Sequence, residues 1–135
     1  MTKYNREDTK TTLPQLERNY DDIISQLKPH KTHVKITSSV GTVNLVSAYR
    51  VGRIMFLHVT ASNTSSVSSG NKIADAVLKD HKPIQRANGV SYNGGYATNN
   101  VILTDGNLVC RNASGGSIPA NTVIHITFVY IVGEK

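Results

Sequence analysis

The residues best suited to non-covalent chemistry lie between positions 86 and 100. Residues 88–100 (NGVSYNGGYATNN) are dense in Gly and Asn and carry two tyrosines. Tyr92 and Tyr96 can lay their aromatic faces on the C–H face of a sugar ring. Asn93, Asn99 and Asn100 offer donors and acceptors to hydroxyls. Arg86, just upstream, can pair with a phosphate of an anionic polymer. The same composition also makes a plain turn-rich loop, since Asn and Gly are what turns favour. In a self-associated protein, Arg50, Arg53 or His58 can complete a site from a neighbouring subunit.

Covalent chemistry finds less to work with. From residue 34 onward the acids are Asp75, Asp80, Asp105 and Glu134. Asp75 and Asp80 are five apart at a strand end, whereas a glycosidase pair needs two carboxylates about 5–10 Å apart across a cleft. Asp105 is explained by a turn. The serines sit in Ser-rich loops without a nucleophile elbow. His58 and His125 lie in strand-like runs and read as hydrogen-bonded or interface histidines. His30 and His33 form an H-x-x-H pair, but no Cys, Asp or Glu stands near to complete a metal site. The expectation is a protein without catalytic residues, resident metal or cofactor.

Composition narrows the partners. The formal charge of +6 comes from 15 basic and 9 acidic residues. Residues 1–33 hold six Lys/Arg against five Asp/Glu, and the remainder nine against four. Those nine are scattered singly, with no basic block and no interleaved aromatics. This reads as a mildly basic surface suited to anionic polymers rather than as a nucleic-acid interface. No apolar run reaches the roughly 18 residues of a membrane span. The first ten residues are polar and mixed in charge, unlike a secretory signal. The single cysteine, Cys110, allows no intrachain disulfide and reads as a small buried hydrophobe. Two Asn-x-Ser sequons, at Asn63 and Asn112, read as exposed loops.

The elements that must position these groups follow from periodicity. Residues 48–61 (AYRVGRIMFLHVTA) are the organising stretch. Met55, Leu57, Val59 and Ala61 fall on one face, and Ile54, Phe56, His58 and Thr60 on the other, the period of a strand. Both faces are largely apolar at the start. One face would meet a second sheet and the other a neighbouring subunit. Val51-Gly52 predicts a hairpin or bulge before it. Asp105-Gly106 is the sharpest hairpin signal. Residues 123–132 alternate with Ile124, Ile126, Phe128, Tyr130 and Val132 on one face, as a central closing strand. Residues 62–71 and 112–122 read as polar loops, 72–78 as a short strand and 79–87 as an extended connection. Seven or eight short strands predict an antiparallel sandwich or barrel over residues 34–135, of jelly-roll or immunoglobulin-like type.

Only one helix is predicted, over 13–27. Thr12 and Gln15 fit a capping box with Pro14 in the first turn. Leu13, Leu16, Tyr20, Ile23 and Leu27 are spaced 3, 4, 3, 4, the seam of a coiled coil. Ile24 widens that seam, which suits more than two helices or packing on another domain. An amphipathic helix folded onto its own domain remains the alternative. Residues 1–33 thus read as a polar tail, a short helix and a linker.

The order of these pieces resembles a known family. An Arg-Val-Gly-Arg hairpin leads into IMFLHVTAS. A polar loop, IADAVLKDHKPIQ, the hairpin VILTDGNLVCR, a Gly/Ser loop and a closing HITFVYIV follow. This resembles the C-terminal head domains of tail-tip, baseplate and tail-fibre receptor-binding proteins from phages and prophages of Gram-positive hosts. Lys82 stands where Arg is more usual in that family, and its Leu-Pro start is missing. The resemblance spans residues 42–132. It implies a jelly-roll-like β-sandwich head, a homotrimer joined by an N-terminal helical part, and non-covalent binding of a host cell-surface saccharide. It also implies location at the virion tail tip after synthesis in the bacterial cytoplasm, with other tail or baseplate proteins held through residues 1–33. A structural baseplate or fibre protein that binds no sugar, or a trimeric β-sandwich ligand of a protein receptor, would share the architecture.

Overall fold

The computed structural model describes residues 13–92 and 95–133. The chain is mostly β, two antiparallel sheets with one helix. Helix α1 (Leu13–Leu27) occupies the segment with heptad spacing; Thr12, the expected cap, lies outside the described residues. Its C-terminal end is closed by Lys28 N–H donating to Ser25 O at 3.3 Å. The His30 Nε2 donates to the same carbonyl at 2.9 Å. The helix is too short to be stable alone in water. Yet Leu13, Leu16, Tyr20, Ile23 and Leu27 are 52–67% exposed, so its apolar stripe is not buried against the sheets. No helix among the described residues is long and apolar enough to cross a membrane.

The larger sheet is built from β1 (His30–Lys31), β2 (Gly41–Val51), β3 (Ile54–Asn63), β9 (Val123–Ile131) and β6 (Val90–Tyr92), in that spatial order. The segment read as a linker therefore supplies an edge strand, His30 pairing with Arg50 and Lys31 with Tyr49. The β2–β3 hairpin turns at Gly52, whose φ is 59°, with Val51 opposite Ile54. A glycine with positive φ at the first turn position is the type II′ arrangement, which matches the twist of the flanking strands. The smaller sheet runs β4 (Lys72–Val77), β8 (Asn107–Asn112), β7 (Thr98–Ile102), β5 (Ala87–Asn88). A bulge between Lys72 and Ala74 turns two successive side chains, Ile73 and Ala74, into the core. The Asp-Gly hairpin has Gly106 at φ 90° and its loop spans residues 103–106. The Asn107 N–H donates to Asp105 Oδ1 at 2.9 Å, which stabilises the turn.

The core lies between the sheets. Met55, Leu57 and Val59 of β3 face Ile102, Leu108 and Cys110 across it. Ile124, Ile126, Phe128 and Tyr130 fill it from β9, the strand between β3 and β6. Period-2 alternation thus predicts both central strands and their buried faces. Cys110 is buried, and burial, with a smaller contribution from Asp75, pushes its thiol up to about 12.

Three expectations fail. Residues 88–100 are not one loop: they contain β6, most of β7 and the second residue of β5. The chain leaves the small sheet at Asn88 and enters the large one at Val90. The crossing is at Gly89, where a Cβ would stand 2.7 Å from a Phe128 ring carbon. Strands of two or three residues carry no readable period, so the Gly/Asn content dominated. Second, Asn63 and Asn112, the two sequon residues, are each 1% exposed. The Asn63 Nδ2 donates to Ser65 O at 2.8 Å and Pro119 O at 2.7 Å. The Asn112 Nδ2 donates to Val67 O and Gly116 O, both at 2.7 Å. The amide nitrogens that a glycan would modify are committed to carbonyls. Third, the polar loops 62–71 and 112–122 are not wholly superficial. Val67 and Ile118 pair across them and are buried.

Candidate functional site

One end of the sandwich gathers three loops. Residues 64–71 and 113–122 are joined by the Val67–Ile118 bridge and by the two buried asparagines. The third connection, between β6 and β7, is tied on by Ala113 N–H donating to Ala97 O at 2.9 Å. Loops held on a rigid sheet in this way are where binding residues are usually presented. Tyr92, at the end of β6, is 78% exposed and pairs with His125. Tyr96 is half-buried against the core, so its ring is braced. Asn99 is exposed on β7 opposite Arg111, whose guanidinium donates to Gly70 O at 3.1 Å. Asn93 lies outside the described residues.

Two predicted residues stand apart from this end. Asn100 is only 3% exposed and faces the core. Its Nδ2 donates to Thr98 Oγ1 at 2.9 Å, and Thr98 in turn donates to Ser91 Oγ. Asn100 therefore ties β6 to β7 rather than meeting a ligand at the surface. The reason is parity: Ile102 of β7 points inward, so Asn100 and Thr98 do too. Arg86 lies before β5, beside a cavity of about 420 Å³ that Ile84, Val129 and Ile131 also line. Tyr92 pairs with His125, four to six residues from those two along β9. At a strand rise of about 3.3 Å per residue that separation is roughly 13–20 Å. Arg111 is a cation at the loop end, beside Lys72 on the neighbouring strand, and sequence reasoning missed it. The pairing Asn99–Arg111 across the Asp-Gly hairpin was the available signal.

The carboxylates are occupied differently. Asp75 accepts Thr37 Oγ1 at 3.0 Å and is paired to Lys72 at 3.3 Å, on the wall of a groove of about 620 Å³. Asp80 is exposed in the turn after β4. Tyr130 is buried with its hydroxyl donating to His81 O at 2.8 Å. Burial pushes its hydroxyl up to about 12, against a smaller lowering by Arg50. Among the described residues, no cluster of three or more His, Cys, Asp or Glu could hold a metal ion.

The outward face of the large sheet is a second surface of note. β3 contributes Ile54 and Phe56, and β9 contributes Val123, Val129 and Ile131, all exposed. Leu45 and Tyr49 of β2 and Val90 and Tyr92 of β6 flank them. The centre holds His58 and His125, whose rings stack with centroids 5.8 Å apart. His58 Nδ1 shares a hydrogen bond with Thr127 Oγ1 at 3.0 Å, and His125 Nδ1 with Thr60 Oγ1 at 3.1 Å. The two apolar faces of β3 were legible in its sequence; the matching outward row of β9 was not drawn from its alternation.

Neither a scan of protein-family models nor a search of curated proteins finds a match to this chain.

Proposed function

We propose that this protein is the receptor-binding head of a phage or prophage tail, a homotrimer that attaches non-covalently to a saccharide on a bacterial cell surface. The observation that carries the reading is the loop end of the sandwich. There an aromatic ring 78% exposed, Tyr92, stands at the end of one strand. Asn99 and Arg111 are exposed on the paired strands β7 and β8. An exposed ring stacks on a sugar's C–H face, amides bind hydroxyls, and a guanidinium pairs with phosphate or carboxylate. This is a surface for a neutral or anionic wall polysaccharide, and it recognises without turnover. The two sheets are read as a jelly-roll-like sandwich. The unburied stripe of α1 is the seam through which three copies gather. Weak sites suffice in such an assembly, because linked copies raise the effective concentration.

The test is binding of the full chain to purified cell-wall polysaccharides and to intact Gram-positive cells, beside Tyr92→Ala and Arg111→Gln variants. Retention by wild type and at least a tenfold loss in Tyr92→Ala supports the reading; equal retention of both overturns it. A second reading, a structural tail or baseplate protein, is favoured by the same exposed helix stripe, which suits docking on another virion protein. It predicts assembly through residues 1–33 with no saccharide affinity.

A further inference from the structure

The outward face of the large sheet has an unusual charge pattern. Across β2, β3, β9 and β6 its residues are apolar or neutral, apart from His58 and His125. The edge strand adds one cation, Lys31, opposite Tyr49. Nothing on this face matches a strongly charged partner. On a chain of net charge +6 it is a surface where copies approach with little repulsion. Leaving out Val90 and Tyr92 of β6, its exposed apolar residues present on the order of 700 Å² per chain, close to the roughly 800 Å² per partner of a standard interface. It is also continuous with the helix. The chain passes from α1 through residues 28 and 29 into β1, the edge of this same sheet. A lone helix of this length is marginal in water, so its exposed stripe calls for companion helices. Copies of the same chain bring a helix and a sheet face together.

We infer that the outward face of β2, β3 and β9 is a self-association surface for further copies of this chain, with Tyr92 at its β6 margin left open at the loop end, and that the His58–His125 pair at its centre makes the assembly come apart in acid. The inference rests on the self-association part of the reading above and not on the sugar. The groups facing the pair are Ser47 and Tyr49 from β2, Thr60 from β3, Thr127 from β9 and Tyr92 from β6, with Lys31 at the edge. None is a carboxylate. Covered by another copy, both imidazoles must stay neutral, because two cations 5.8 Å apart would be buried without an anion. In the separated chain His125 is exposed and His58 half-buried between the Thr127 and Thr60 hydroxyls, so a positive charge on the pair costs less there than under another copy. Dissociation therefore binds protons and is favoured as pH falls through the range where histidine gains charge.

The experiment is light scattering on the full chain at pH 7.5 and pH 5.0. Wild type is compared with Phe56→Asp/Val129→Asp, with His58→Gln/His125→Gln and with Leu16→Ser/Ile23→Ser on the helix. All substituted side chains are outside the sandwich core, and far-UV circular dichroism checks that each variant keeps its strands. The expected result is a multiple of the chain mass for wild type at pH 7.5, falling at pH 5.0. The sheet variant has a lower mass already at pH 7.5. The histidine variant keeps its full mass at pH 5.0. A sheet variant with wild-type mass overturns the inference; if the helix variant then loses mass, the trimer reading survives without this face. A wild-type mass unchanged at pH 5.0, or a histidine variant that dissociates as wild type does, overturns the acid response. A wild type monomeric at pH 7.5 overturns both the face and the trimer. Loss of sugar binding at full mass overturns only the attachment reading.

Discussion

Asn112→Asp isolates the device that closes the loop end. The side chain is 1% exposed, and its Nδ2 donates to Val67 O and Gly116 O, both at 2.7 Å. Its Oδ1 accepts from the Ser114 N–H at 2.9 Å and the Ser114 hydroxyl at 2.6 Å. The substitution keeps the shape and the Oδ1 contacts but replaces the donor with a second acceptor facing two carbonyl oxygens. Val67 O keeps the Ile118 N–H at 2.9 Å and Gly116 O the Ser114 hydroxyl at 3.0 Å. The cost is therefore two lost hydrogen bonds, at roughly 0.5–1.5 kcal/mol each, with an oxygen turned on two acceptors, about 3 kcal/mol in all at neutral pH. That is a large part of a typical domain's roughly 5–15 kcal/mol. The sign of the pH effect follows. The new carboxyl is held protonated in the folded chain, because only the acid form can donate to one of the carbonyls. Its folded pKa lies above the unfolded value of about 3.9, so the variant is least impaired below that pH and loses stability as pH rises. Urea unfolding at pH 4 and pH 7, beside Asn88→Asp on the exposed strand β5, measures both effects. If Asn112→Asp unfolds within about 0.5 kcal/mol of the Asn88→Asp control at pH 7, the range of an ordinary surface change, the clamp is not what holds the loops.

Other expectations follow from the same geometry. Cys110 should resist thiol reagents in the folded chain at pH 8 and react fully in urea, since its thiol is pushed up to about 12 by burial; fast native labelling would show that β8 opens. Tyr130 should ionise near pH 12 in an ultraviolet titration. Because its folded value exceeds the unfolded value of about 10, the stability it contributes is complete below pH 10 and disappears as pH rises towards 12. Tyr130→Phe, which loses the bond to His81 O, should cost about 1 kcal/mol and remove that late titration. Gly89→Ala should cost about 1–3 kcal/mol by thermal melting, because the Phe128 ring must yield to a Cβ 2.7 Å away.

What could be read from the residues alone depended on how many neighbours a pattern needed. β3 and β9 were legible because nine or ten alternating positions report one buried face, and Gly52 because a hairpin turn demands positive φ. The large hydrophobes Val67 and Ile118 carried a weaker signal, each an isolated apolar residue in a polar loop, and both prove to be core. The burial of Asn63 was not legible. It depends on Ser65 O nearby and on Pro119 O, 56 residues away. Of the sugar-binding candidates, Tyr92, Tyr96 and Asn99 come to the loop end. Arg86 does not, because the chain changes sheets at Gly89 between it and Tyr92. Asn100 is turned inward by the parity that its neighbour Ile102 sets.

Saccharide attachment turns on whether the loop end holds a sugar polymer. Equilibrium binding of the full chain to a panel of purified wall polysaccharides, measured beside Tyr92→Ala, addresses it in one titration. Saturable binding to at least one polymer is expected, with at least a tenfold weaker response for the variant. Binding to none of them, or binding that Tyr92→Ala leaves intact, would contradict saccharide attachment.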